Sequence, residues 1–221
     1  MLRLFIVVFT LITIIGCDKS KLSDKEKYQI YGVVFDNSVG EKSEWRKKAK
    51  GSLRWIQNSI STKEDSFRQR NLLHWLDSIN RVIDTSNLYV LLEDTLVKLY
   101  SDGGPMESIV QQNKVLKNDT SFVSLFKTLL SNDKSIEVID KSKIKSSNKY
   151  NLVNKEFIPR DEFTEVGILS VSKISVNGEK NKACVYTSLI CGEMCGHGRV
   201  FFLEKKAGKW LVSYHVEIWV S

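Results

Sequence analysis

The segment WLVSYHVEIWVS, beginning at Trp210, alternates without interruption. Trp210, Val212, Tyr214, Val216, Ile218 and Val220 fall on one side of an extended backbone, and Leu211, Ser213, His215, Glu217 and Trp219 on the other. Side chains of a strand point alternately to its two faces, so the pattern predicts a half-buried strand. Three more β-rich runs precede it: GILSVSKISV from Gly167, ACVYTSLIC from Ala183 and RVFFLEK from Arg199. The turn-forming segments NGEKNK, GEMCGHG and KAGK separate the runs. Four strands on such short connections predict an antiparallel meander over about residues 166–221. A sheet with an apolar face must bury it against a second layer, and the upstream half of the chain has to supply it.

That half reads as mostly helical. Glu41 to Ile60 carries Trp45, Ala49, Leu53, Ile56 and Ile60 at helical spacing, with Arg46, Lys47, Lys50 and Arg54 on the opposite side. A basic amphipathic helix can lie on a membrane surface; the reading favoured is a solvated face on a helix packed against the core. Ser61 and Glu64 have the spacing of a capping box. The helix after it, to about Asp84, has Leu72, Leu76, Ile79 and Ile83 as its stripe, with Phe67 and Leu73 beside it. The two form an αα-hairpin, a helical insertion over about 43–86. His74 and Trp75 sit near the stripe, and a lone His there reads as an ordinary surface or core residue. A short helix is predicted after Pro105, and another after Asp119 or Thr120 with Phe122, Leu125, Phe126 and Leu129 inward.

YQIYGVVFD from Tyr28 is β-branched and aromatic and reads as a first strand; a second is predicted near Leu88 to Leu92, and SIEVID as a short third. Lys141 to Lys155 is polar and reads as a mobile loop. The fold class is therefore α+β, with a helical N-terminal half packed on a C-terminal antiparallel meander of about four strands. An NTF2-like arrangement is one architecture of this kind. No internal repeat stands out, and a four-strand meander alone has little core, so residues 28–221 are read as one domain.

The chain begins MLRLFIVVFTLITIIGCDKSK. Arg3 precedes an apolar run from Leu4 to Ile15, the length of a signal-peptide h-region and short for a bilayer span. Ile14-Ile15-Gly16-Cys17 resembles the lipobox of bacterial lipoprotein signal peptides. The resemblance implies cleavage between Gly16 and Cys17, a diacylglyceryl group on the Cys17 thiol, and a membrane-anchored place in the cell envelope. It divides the chain into a signal peptide over 1–16, a charged tether over 17–27 and the domain beyond. Asp18 bears on inner-membrane retention in some such lipoproteins, and the choice of membrane stays open.

Charge narrows the partners. A net charge of +7 is moderate and spread over many lysines. No nucleic-acid recognition motif accompanies it, so no nucleic acid is expected; anionic lipid is a closer match. The expected partners are the membrane, through the lipidated N-terminus, and an unassigned protein or small molecule.

Cys184, Cys191 and Cys195 remain, an odd number. The turn CGEMCGHG, with Cys191, Cys195 and His197, admits three readings. Zinc wants four ligands; here there are three, and Cys184 faces the opposite side of its strand from Cys191. A redox dithiol usually sits as Cys-x-x-Cys at a helix N-terminus, whereas this is Cys-x-x-x-Cys between strands. A structural disulfide between Cys191 and Cys195 suits an exported protein and is preferred, with Cys184 a buried thiol and no metal or other cofactor. Closing so short a loop stabilises by about 2 kcal/mol on the chain-entropy model.

Cys191-Gly192, Cys195-Gly196, Gly198, Leu203-Glu204-Lys205, Gly208-Lys209-Trp210 and Trp219-Val220-Ser221 resemble a recurrent C-terminal sheet of uncharacterised exported bacterial proteins and lipoproteins. YQIYGVVFD and YVLLEDT are similar to earlier segments of that group. The resemblance implies a shared fold and no activity. GKW in a hairpin also occurs in NTF2-like sheets, as a turn followed by a core Trp.

Three functions follow. One is a lipid-anchored envelope protein acting as a binding or structural module. Another is an NTF2-like pocket for a small molecule or peptide, between helices and a curved sheet. An enzyme would rest on His215 and Glu217, two residues apart on one strand face near His197. No phosphate loop, His-Glu-x-x-His, Gly-x-Ser-x-Gly or EF-hand pattern is present, so a non-enzyme is favoured.

Overall fold

The computed structural model describes residues 22–60, 66–85, 87–97, 113, 116, 118–131, 137–147, 150–154, 165–192 and 195–221. The predicted signal peptide, Gly16, Cys17, the Ser61–Glu64 capping box and the helix after Pro105 lie outside them. The architecture is α+β. In chain order it comprises α1 (Asp24–Val39), α2 (Lys42–Ile60), α3 (Ser66–Thr85), β1 (Tyr89–Leu92), α4 (Thr120–Ser131) and β2 (Asn151–Val153). The strands β3 (Glu165–Val171), β4 (Ser175–Val176), β5 (Lys182–Gly192), β6 (Cys195–Lys206) and β7 (Lys209–Val220) complete it. Among the described residues, no helix is long and apolar enough to cross a membrane.

YQIYGVVFD corrects the strand expected of it: it lies inside α1. Ser23 caps the helix, its hydroxyl accepting from the Glu26 N–H while the Glu26 carboxylate accepts from the Ser23 backbone, which satisfies two end donors at once. Asp24 and Glu26 place negative charge at the positive end of the helix dipole. Tyr28, Tyr31, Phe35 and Ser38 then recur every three or four residues and are buried. Residues 24–27, read from the sequence as the end of the tether, belong to this helix. Gly32 is needed in mid-helix: a Cβ there would stand 2.6 Å from the Lys145 carbonyl oxygen.

The sheet order is β2-β1-β3-β5-β6-β7, with β4 beside β5. β3, β5, β6 and β7 pair antiparallel, as the meander requires. β1 pairs parallel with both β2 and β3, so the whole sheet is mixed. The expected loop over 141–155 is partly structured. It holds a 3-10 turn at Lys141–Lys143, buried Ile144 and Tyr150, and β2. Of SIEVID, residues 137–140 are described, and there Val138 makes an isolated bridge to Thr95.

Helices lie on both faces of the sheet. On β5, Ala183, Val185 and Leu189 join the α1 core, while Cys184 and Tyr186 join the α4 core. Alternate residues of one strand point to opposite faces, so α1 and α4 cover opposite sides. Phe122, Leu125, Phe126 and Leu129 of α4 are buried as expected. Asp119 caps that helix, accepting from the backbone of Ser121 and Phe122, and Lys182 of β5 pairs with it. β7 feeds both cores. Val212 pairs with Leu203 and Tyr214 with Phe202, so an extra residue, Ser213, bulges out between them. Trp210 and Val212 therefore pack with α1, and Tyr214 and Val216 with α4. A second shift between Glu217 and Trp219 brings Trp219 over Gly198, where its Nε1 donates to the Tyr186 hydroxyl at 3.0 Å. The single apolar face predicted for this strand is corrected to two half-faces divided by a bulge.

α2 and α3 form the expected hairpin, held by Leu53 and Leu76 with Ala49 and Ile79 packed on them. Leu73, expected beside the stripe, is 42 % exposed, and Trp75 is 45 % exposed. Trp45 joins the hairpin to the body, packing on the α1 core and donating from Nε1 to the Val39 carbonyl at 2.6 Å.

Candidate functional site

A cleft of about 520 Å³ opens where α1 ends. One wall is the last turn of α1 and the first turns of α2, with Asn37, Glu44, Trp45 and Lys48. The other is the disulfide end of the sheet, with Cys191, Cys195, His197, Arg199 and Glu217.

The sheet wall is a consequence of strand periodicity. Cys195, His197 and Arg199 are alternate residues of β6 and share one face. Cys191 and Cys195 are joined by a disulfide across the turn, with Cα atoms 5.0 Å apart. Gly192, pairing with Cys195 at φ 149°, takes up backbone geometry that favours glycine. Arg199 donates from Nε and Nη2 to one oxygen of Glu217, at 3.3 and 3.2 Å. Both residues are partly open to solvent.

The helix wall is set by capping. The last carbonyls of a helix lack intrahelical donors. Here Trp45 Nε1 serves Val39, the Tyr150 hydroxyl serves Gly40 at 3.0 Å, and the His197 ring hydrogen-bonds to the Ser38 backbone. The Ser38 hydroxyl, bonded to Thr187 at 2.9 Å, ties the same turn to β5. His197 Nε2 is buried and has no hydrogen-bond partner among the described residues. Burial holds the His197 pKa below its ordinary value, and Arg199 adds to the shift; the Ser38 backbone opposes it. The shift favours the neutral ring, whose second nitrogen is an acceptor. Lys48 lies 4.7 Å above the Trp45 ring, so the helix wall also carries a cation over an aromatic face.

The sequence-predicted residues divide around this cleft. Cys191, Cys195, His197 and Glu217 are brought together. His215 is not among the lining residues; it stacks at 5.6 Å on Phe201. Glu217 answers to Arg199 in place of His215. Cys184 is a fully buried free thiol on the α4 side, its pKa pushed up by burial. His74 is exposed on α3, away from the cleft lining. Among the described residues, no group of three or more His, Cys, Asp or Glu side chains could hold a metal ion. The space between α1 and the sheet, where a NTF2-like pocket would open, is filled by Ile30, Val34, Phe35 and Trp210, each at most 1 % exposed.

Sequence reasoning missed Arg199, Asn37, Glu44 and Lys48, and placed Trp45 only on the helix's buried stripe. Arg199 was legible as the third member of the alternating Cys195-His197-Arg199 stripe. Asn37 was hidden because α1 was read as a strand; Glu44 and Lys48 lie on a helix that was read as one, but no local pattern places that helix beside the β5–β6 turn. No protein-family model, curated protein or solved structure matches the chain.

Proposed function

We propose that the chain is a lipid-anchored protein of the cell envelope whose folded domain is a binding module and not an enzyme. The cleft is the seat of its ligand. The Leu4–Ile15 run and the Gly16-Cys17 junction support the anchor. The observation that carries the binding reading is the convergence of His197, Arg199, Glu217 and Lys48 on one cleft of ligand-sized volume. The lining mixes donors, acceptors and both signs of charge, which suits a polar ligand such as a short peptide with its own amide groups and ends.

The anchor is tested by expressing the full chain and its Cys17→Ala variant in a bacterial host and fractionating the cells. The wild type is expected in the membrane fraction, with fatty-acid label on its N-terminal peptide. The variant is expected to lose the label and remain an unprocessed precursor. A wild-type chain without label sinks the anchor. For the cleft, thermal shifts with a panel of di- and tripeptides are compared between wild type and Arg199→Ala. A peptide that raises Tm in the wild type and not in the variant supports the seat; equal shifts in both place the ligand elsewhere.

A further inference from the structure

Lysines run along the whole chain, but the net charge is concentrated. Of the chain's 33 Lys and Arg and 26 Asp and Glu, α2 and α3 carry nine and three, so the hairpin helices hold +6 of the net +7. Helical geometry gathers part of this charge on one side. Leu53 and Leu76 are the buried pair between the two helices. At about 100° per residue, Lys47 stands about 120° round α2 from Leu53. Arg70 and Arg81 stand about 120° and 140° round α3 from Leu76, in the same sense. In an antiparallel hairpin, equal rotation from the buried seam means the same side. Leu73, His74 and Asp77 share that side, and all six residues are exposed. Trp45 stands about 280° round α2 from Leu53, on the other side, where it packs on the α1 core. The basic face therefore looks away from the body and from the cleft that Trp45 lines.

We propose that this face docks on the anionic head groups of the membrane that carries the chain. Complementary charge argues for that occupant. So does the chain ahead of the fold: Leu22 follows Cys17 by five residues, a reach of roughly 17 Å, so a lipidated Cys17 keeps the domain at the head groups. The choice of lipid as the source of negative charge rests on the anchored reading. A second copy of the chain presents the same positive face and is repelled by it. The 16 residues of α1, about 24 Å of helix, then separate two attachments, the anchor before its start and the hairpin after its end. The anchor supplies a high local concentration of head groups, so a weak contact suffices. Each cation close to an anionic surface multiplies the docking constant about fivefold, and Asp77 takes back a similar factor. Lys47, Arg70, Arg81 and Asp77 together leave about 25-fold, which salt screens. Leu73 adds an apolar contact at the interface. Docking by this face leaves the cleft open to its ligand.

The test uses the full chain, expressed in a bacterial host and reconstituted into phosphatidylcholine vesicles with and without phosphatidylglycerol. His74→Cys places an environment-sensitive fluorophore on the basic face, and Gly178→Cys places it on an exposed turn of the body. The remaining free thiol, Cys184, is fully buried and escapes the label in native buffer. The expected result is a blue-shifted, brighter signal at position 74 with phosphatidylglycerol only, lost in high salt and absent at position 178. Arg70→Gln with Arg81→Gln, checked by a wild-type unfolding midpoint, is expected to lower the docking constant about 25-fold. Fatty acid on the N-terminal peptide, read by mass on the same sample, reports the anchor separately. A lipidated chain whose position 74 stays in water on both vesicles overturns the docking and leaves the anchor standing. A chain without fatty acid that still gives the salt-sensitive signal loses the anchor and keeps the docking. An undiminished signal in the double variant overturns the basic face as the contact. A signal that follows protein concentration on phosphatidylcholine alone points to a second copy and overturns the lipid.

Discussion

Glu26 holds two structures together from one carboxylate. It accepts from Lys205 of β6 at 2.6 Å and completes the α1 capping box through Ser23. Lys205 and Ser23 draw its pKa from 4.5 down to about 2. Because the folded value lies below the unfolded one, this contribution is present above about pH 4.5 and is lost as the pH falls toward 2. Glu26→Gln is expected to lower the urea midpoint at pH 7 and to flatten its fall between pH 5 and pH 2. An acid profile identical to wild type would remove Glu26 from that account. Gly198 makes a second prediction. A Cβ there would lie 2.0 Å from Trp219 Nε1, so Gly198→Ala must displace the indole and break its bond to Tyr186. The expected cost is about 1–3 kcal/mol, with a change in tryptophan emission. Gly178→Ala, where a Cβ meets nothing within 4 Å, is the control and should leave both nearly unchanged.

At the scale of elements, the α2–α3 hairpin is the part most separable from the rest, since Leu53 and Leu76 form a core of their own. Leu76→Ala removes half of that pair and is expected to cost about 2–4 kcal/mol locally. Hydrogen exchange should rise across 45–85 while β5, β6 and β7 keep their protection; loss of protection throughout would show that the hairpin folds only with the body. Both hairpin helices and α4 were legible because their apolar residues recur every three or four positions. The β3–β7 meander was legible because its turns carry Gly and Asn between alternating runs. α1 was not, because Val33, Val34 and the aromatics around them favour strands in isolation. The local signal that outweighs this is Ser23 with Glu26, a capping box just ahead of the run. The parallel pairing of β1 with β2 and β3 was invisible for another reason: it joins Tyr89 to Asn151 and Glu165, far apart in sequence, and no local pattern records such a contact.

Across the whole molecule, the cleft exists because two distant pieces of chain meet, the end of α1 and the turn between β5 and β6. Half of it, Cys191, Cys195 and His197, could be read from one glycine-rich stretch; the other half needed the course of α1. Reduction of the bridge frees the sheet wall and is expected to remove about 2 kcal/mol of stability. For a chain of this size that lowers Tm by roughly 4–8 °C, read by thermal unfolding with and without reductant. A larger fall would mean that the bridge also holds the α1 end of the cleft in place.

The bulges of β7 have one more consequence. β7 is an edge of the sheet, and an open edge is a template on which another molecule's strand can pair. Between its two register shifts only Tyr214 to Glu217 run in regular step. β2, the opposite edge, has three residues. A second copy meeting β7 finds no long straight border to extend, so the irregularities that send β7 into two cores also work against edge-to-edge pairing of sheets.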